Sequence, residues 1–277
     1  TRKAAAKVIA DYYGTTSYYA GSGYDTYEAT DRQGRKWKAM SDSSIRAERR
    51  DGGTATGEYK CEIVTPVCRW EEIVRQLRHK GAIANSSCGI HVHVGAEQHT
   101  AKTLRNLVNI MTSKEDLLFK AIGVSVDRES RWCQKTEQRF AERMNRTKPT
   151  TTSAVERLWY NGTSQRNFHY DSSRYHALNL HSLWQGKGIE FRCFNGTTHA
   201  GKIKTYIQLC LAISHQALTQ NGASAKKTVT ANEKYTFRTW LLRLGMIGDE
   251  FDTARKFLLE NLSGDIAFKN GRPRAAA

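Results

Sequence analysis

Residues 86–95, SSCGIHVHVG, constrain the fold of this chain more than any other stretch. Their alternation has period two, the repeat of an extended strand. His91 and His93 therefore share one face, and Ile90, Val92 and Val94 share the other. A fold that accommodates this strand packs its apolar side on a core and leaves two imidazoles about 7 Å apart on the other side. Such a pair can hold a metal, grip phosphates or hydrogen-bond in a wet groove, and the rest of the chain has to decide among these uses.

GIEFRCFNG (188–196) has the same alternation. Glu190 and Arg192 share a face, while Ile189, Phe191 and Cys193 line the other. A carboxylate beside a guanidinium on a buried strand fits a mutual ion pair. Strand ion pairs are the commoner case, and the second use is a division of labour, with Glu190 on Mg²⁺ and Arg192 on the phosphate that the metal bridges. A third strand, EYKCEIVTP, ends at Pro66 and carries Glu62 between Cys61 and Ile63. A carboxylate in such company needs a partner or a metal. A sheet face collecting Glu62, His91, His93, Glu190 and Arg192 suits a hard cation with phosphate, and Mg²⁺ or Mn²⁺ is the expected metal. A zinc hydrolase on Cys88, His91 and His93, with His99 as a further candidate, is the rival. Strand parity puts Cys88 opposite His91 unless Gly89 makes a bulge.

Periodicity and caps place these strands in an α+β chain. Helices are expected at 2–13 with Gly14 as stop, at 70–80 closed by Gly81, from the Thr100 cap to about Ile122, at 129–145, and at 199–220. Two more helices follow, ending near 263–264. Strands are expected around the turn at 31–34 and over RYHALNLHSL and GIEFRCF. Residues 161–174 lack periodicity and read as a mobile loop over or beside a site. No repeat or linker divides the chain. The expectation is one domain over 1–277, helical from about 199, with strands paired mainly antiparallel because hairpin-length links dominate.

Charge bears on partners. Lys and Arg number 43 against 27 Asp and Glu, a net charge of +16, which favours anionic company. The basic residues are spread over RQGRKWK (32–38), RAERR (46–50), RQLRHK (75–80) and GRPR (271–274) rather than gathered in one tail. A non-catalytic protein binding nucleic acid or an anionic cell-wall polymer is therefore an alternative. Six cysteines without a CxxC pair fit a reducing setting. No apolar run nears the roughly 20 residues of a membrane span, and no charged-then-apolar leader opens the sequence. A cytoplasmic location is expected.

CGIHVHV, the long helix after it, RYHALNLHSL and GIEFRCFNGTTHAGKIKTYIQLCLAI together resemble the amidoligase family, a member of the glutamine synthetase and glutamate–cysteine ligase group. WKAMSDSSI (37–45), EIVTP (62–66) and RLGMIGDEFDTARKFLLENLSG (243–264) extend the similarity over nearly the whole chain. The resemblance implies a curved, mainly antiparallel sheet with helices on its outer face. It implies a carboxylate–amine ligase that uses ATP and Mg²⁺, forms an acyl phosphate and leaves an amide or peptide bond. By motif, Glu62, His91 and Glu190 match metal-binding positions, and His93 matches the nucleotide side. Arg192 matches the arginine that steadies the transferring phosphoryl group, and Asp42 an acidic position near the amine acceptor. Asn179 is a further candidate on the nucleotide side, although turn and backbone hydrogen bonding also suit it and Asn195. The family's opening FGxExE strand, with a further metal carboxylate, is not among these residues. The basic charge is then a clue to an acidic small-molecule or peptide substrate.

Overall fold

The structure is a computed structural model that describes residues 1–270; the basic GRPR segment (271–274) lies outside the described residues. The chain is α+β, and its contacts divide into two compact units. The first comprises Thr1–Gly89 with Gly196–Ile203, and the second Ile90–Asn195 with Lys204–Ala277.

The first unit is built on a four-stranded sheet. Strands β1 (Ser17–Gly21), β2 (Thr26–Thr30), β3 (Lys36–Met40) and β4 (Glu62–Val64) lie in that order, each antiparallel to the next. The turn between β2 and β3 forms because Asp31 Oδ1 accepts from the backbone N–H groups of Gln33 (2.9 Å) and Arg35 (3.0 Å), the local bonding that makes aspartate a turn former. Helix α1 (Arg2–Tyr13) ends at Gly14, whose left-handed conformation closes the last turn. Ile9 and Ala10 of α1 are buried with Ala29, Trp37 and Ile73, the last from α2 (Glu71–His79).

The second unit holds the larger core and a three-stranded sheet. The sheet consists of β5 (Gly89–Val94), β7 (Ile189–Asn195) and β6 (Leu178–Asn179), with β7 in the middle. Helix α3 (Ala101–Ile122) starts at Thr100, whose hydroxyl and that of Thr103 form a reciprocal capping box. Leu104, Leu107, Met111 and Leu118 of α3 are buried with Phe191 and Phe194 of β7. The remaining helices are α4 (Val126–Trp132), α5 (Gln138–Thr147), α6 (Thr152–Trp159), α7 (His181–Trp184), α8 (Ala200–Thr219), α9 (Glu233–Arg243) and α10 (Asp252–Leu259). Among the described residues, no helix is long and apolar enough to cross a membrane.

Four expectations change here. The strands make two sheets rather than one. The helix expected at 129–145 is two helices, because Gln134 leaves the helical path to bond the chain beside β6. Its N–H donates to the Tyr175 carbonyl, and its own carbonyl accepts from Ala177 N–H, both at 2.8 Å. The strand expected over RYHALNLHSL shrinks to two residues, because Asn179 Oδ1 accepts from Ser182 N–H (3.3 Å) and turns the backbone into α7. Residues 161–174, expected as a mobile loop, are tied down. Arg166 pairs through two nitrogens with the buried Glu156, and Trp159 Nε1 donates to Ser173 Oγ at 2.9 Å.

Candidate active site

The geometry begins at β7, six of whose seven residues are buried. Its alternation sends Ile189, Phe191 and Cys193 into the core and leaves Glu190 and Arg192 together. Gly188 makes the entry to this strand possible. Its φ is 82°, and a Cβ there would stand 2.5 Å from the Val94 carbonyl oxygen, so only glycine fits without moving the backbone. At the other end, Gly196 N–H donates to the Cys88 carbonyl at 2.9 Å. The start of β7 thus meets the end of β5 and the reverse, so the two strands run antiparallel.

Glu190 is 4% exposed and Arg192 5%, and the Glu190 carboxylate is held from three sides. Arg192 Nη1 lies 2.8 Å from Oε1, His91 Nδ1 lies 3.2 Å from the same oxygen, and Asn179 Nδ2 donates to Oε2 at 2.5 Å. Asn179 sits directly opposite Glu190 in the antiparallel register of β6 and β7. Burial alone would raise the Glu190 pKa, but the His91 ring and the Arg192 guanidinium beside it, with the Asn179 amide, hold it below the usual carboxylate range. Loss of water around the ring, then the Arg192 guanidinium, push His91 down to about 3 against the attraction of Glu190, although its side chain keeps 30% exposure. His91 is therefore a neutral imidazole at pH 7. Its Nδ1–H donates to Glu190, which leaves the Nε2 lone pair for a ligand.

Arg192 is itself fixed. Its Nε donates to the Trp132 carbonyl at 3.3 Å, its N–H to the Ala177 carbonyl at 2.8 Å, and its guanidinium lies 5.7 Å from the Tyr175 ring centre. Arg128 Nη2 in turn donates to the Arg192 carbonyl at 3.2 Å. His93 is exposed on the side of β5 away from the buried Val92 and Val94. Its Nδ1 lies 3.1 Å from the Lys187 carbonyl, which requires the proton on Nδ1 and leaves Nε2 as an acceptor, and Ser182 Oγ is 3.3 Å away.

The second unit therefore brings together His91, His93, Asn179, Glu190 and Arg192. Both polar ends of Asn179 are occupied, by Glu190 and by Ser182 N–H. Glu62 and Asp42 belong to the first unit. Glu62 is half-buried on β4 opposite Met40. Asp42 Oδ1 accepts from the N–H (2.8 Å) and hydroxyl (2.7 Å) of Ser44, closing a turn after β3. Residues the sequence did not flag are Arg128, Ser182 and Tyr175, together with the Trp132 carbonyl; their spacing carries no signal for a role that depends on tertiary contact.

The zinc set does not assemble. His99 uses Nε2 on Ser214 (2.9 Å) and Nδ1 on Thr103 (3.2 Å), and among the described residues no three His, Cys, Asp or Glu side chains converge on a metal position. Magnesium makes a different demand, since it is commonly held by one or two carboxylates with water and substrate phosphates completing the shell. Glu190 can supply such a carboxylate in exchange for one of its present donors.

Neither a curated protein nor a solved structure matches the chain. Residues 1–214 match the family model described as putative amidoligase enzyme. This chain, with its buried carboxylate–arginine strand beside a two-histidine strand, belongs to that ligase family.

Proposed function

We propose that the protein joins a carboxylate to an amine at the expense of ATP, through an acyl phosphate, and that Mg²⁺ or Mn²⁺ assists. The observation that carries this reading is the three-sided hold on Glu190 by Arg192, His91 and Asn179 in a chain of the amidoligase family. Phosphoryl transfer asks a protein for positioning and charge neutralisation more than for covalent chemistry, and a buried, immobilised arginine provides both.

Glu190 and His91 would hold the metal, whose contribution is to neutralise phosphate charge. Arg192, steadied by Trp132 and Tyr175, keeps a fixed positive charge beside Glu190. His93, with Nδ1 committed to Lys187, presents Nε2 outward toward the nucleotide. Asn179 keeps Glu190 in one orientation rather than meeting the ligand itself. Glu62 is proposed as a further metal carboxylate and Asp42 as the group near the amine. The surplus of 43 basic over 27 acidic residues favours an acidic substrate, a small molecule or a peptide.

The test is calorimetric titration with a non-hydrolysable ATP analogue, with Mg²⁺ and again with EDTA. Metal-dependent binding that Glu190→Gln weakens by about tenfold or more is the expected result. Binding indifferent to both metal and Glu190, or no binding at all, would sink the reading.

A further inference from the structure

We infer that Glu115, buried in α3, is a positioning residue for Arg192, acting by pinning the strap 132–136 against the three-stranded sheet. The inference rests on the ligase reading for its functional meaning, though not for its geometry.

The strap runs from Trp132, the last residue of α4, to Thr136, just before α5, and makes two contacts that matter to Arg192. The Trp132 carbonyl accepts from Arg192 Nε at 3.3 Å. Two residues on, Gln134 bonds Tyr175 and Ala177, and the Ala177 carbonyl accepts from Arg192 N–H; all three bonds are 2.8 Å. Side chain and backbone of Arg192 are thus both referred to the strap. A segment of five residues between helices has little regular bonding of its own, so something has to fix it.

Glu115 does so. Its Oε2 accepts from Thr136 N–H and its Oε1 from the Thr136 hydroxyl, each at 2.9 Å. Glu115 is 1% exposed in the middle of a 22-residue helix, a costly place for a carboxylate with no ion-pair partner among the described residues. Burial pushes its carboxyl up to about 7, against the opposing influence of the two Thr136 bonds and of Lys227 and Lys135. Cys133 and Cys193 are the other titratable groups that interact with it. A group that costly to bury is explained by the strap it holds, since an apolar residue would pack the helix equally well. At the surface, Lys135 adds pairs to Asp116 (2.9 Å) and Glu129 (3.2 Å), but these are half-exposed and weak.

The experiment reads Arg192 directly. The full chain is treated with phenylglyoxal, and modification of each arginine is followed by peptide mass spectrometry. Circular dichroism melts establish that each variant is folded at the assay temperature. In the wild type, Arg192 is protected. Glu115→Ala is expected to raise its modification rate by about tenfold, and Thr136→Val by less, as local opening becomes easier. Glu115→Gln, which keeps an acceptor, should stay near the wild-type rate, and so should Lys135→Ala. Arg2, buried in the first unit, is the internal reference. Two results overturn the inference: unchanged protection of Arg192 in folded Glu115→Ala, or an equal rise at Arg2, which would mean general loosening. If Glu115→Ala does not fold, Thr136→Val decides by the same criteria. Titration with the ATP analogue then separates the two readings: a wild type that does not bind it removes the ligase reading, while the labelling still decides the positioning role.

Discussion

Glu28 on β2 and Glu190 on β7 are hidden to almost the same degree, 6% and 4% exposed, yet they are held by different kinds of group. Glu28 accepts from the Tyr18 hydroxyl at 2.6 Å and pairs with Lys36 (2.9 Å) and Lys38 (3.7 Å). Those lysine side chains are 59% and 46% exposed. Tyr18 and Lys36 dominate its environment and pull its pKa down, with burial secondary. Glu28 thus lies under a cover of long, mobile side chains. For Glu190 burial is the largest influence, and Arg192 and Asn179 are as buried as the carboxylate itself. Water can replace a lysine over Glu28 within a rotamer flip. On the Arg192 and Asn179 sides of Glu190 no such flip opens a path, and His91 forms its more open side. Burial figures alone therefore do not separate a surface ion pair from a preorganised site, whereas the burial of the partners does.

The largest expected effect breaks the inner arrangement. Arg192→Met leaves the Glu190 charge buried without its main countercharge and should cost about 3–5 kcal/mol in urea unfolding. Glu115 sharpens the comparison from the other side, as a buried carboxylate bonded to neutral donors. Its folded pKa is raised, so its contribution to stability is full below the unfolded value of 4.5 and is lost as pH rises through about 7. Glu115→Gln should therefore be near neutral at pH 5 and more stable than wild type at pH 8, by up to about 3 kcal/mol in paired denaturation curves. Asn179→Ala removes the donor to Glu190 and the acceptor of Ser182 N–H and should cost about 2 kcal/mol, measured the same way.

His91 has the opposite sign to Glu115. Its folded pKa lies below the unfolded 6.5, so the unfolded chain takes up the proton first and stability falls as pH drops below about 6.5. His91→Gln should flatten that acid limb between pH 8 and 5, the more weakly because the ring is part-exposed and screened by water. The smallest effect belongs to the outer pair: Lys36→Ala with Lys38→Ala should leave the thermal midpoint within about 2 °C of wild type. A large loss there would erase the distinction between the two carboxylates.

Much of this was legible where the information is local. Alternation put His91 and His93 opposite Val92 and Val94, and Glu190 with Arg192 opposite Phe191, as the structure has them. Thr100 and Gly14 marked helix ends by chemistry confined to one turn. The misses came where distant backbone competes with local preference. QKTEQ reads as helix, and only the chain at Tyr175 and Ala177 draws Gln134 out of it. Asn179 sits in a strand pattern, and only its bond to Ser182 shows where the strand stops. Glu115 was invisible for the same reason, since a glutamate amid an apolar helix carries no mark of the threonine it will hold.

Gly188 has a consequence beyond admitting the strand. The next atoms upstream are those of Lys187, whose carbonyl accepts the hydrogen bond from His93 Nδ1–H, and the space a methyl group would occupy at Gly188 is already taken by the end of β5. An alanine there would act as a wedge between the strand that carries the histidines and the turn that aims one of them. The direction in which His93 offers its lone pair is thus governed by a side chain that does not exist, at a residue with no chemistry of its own.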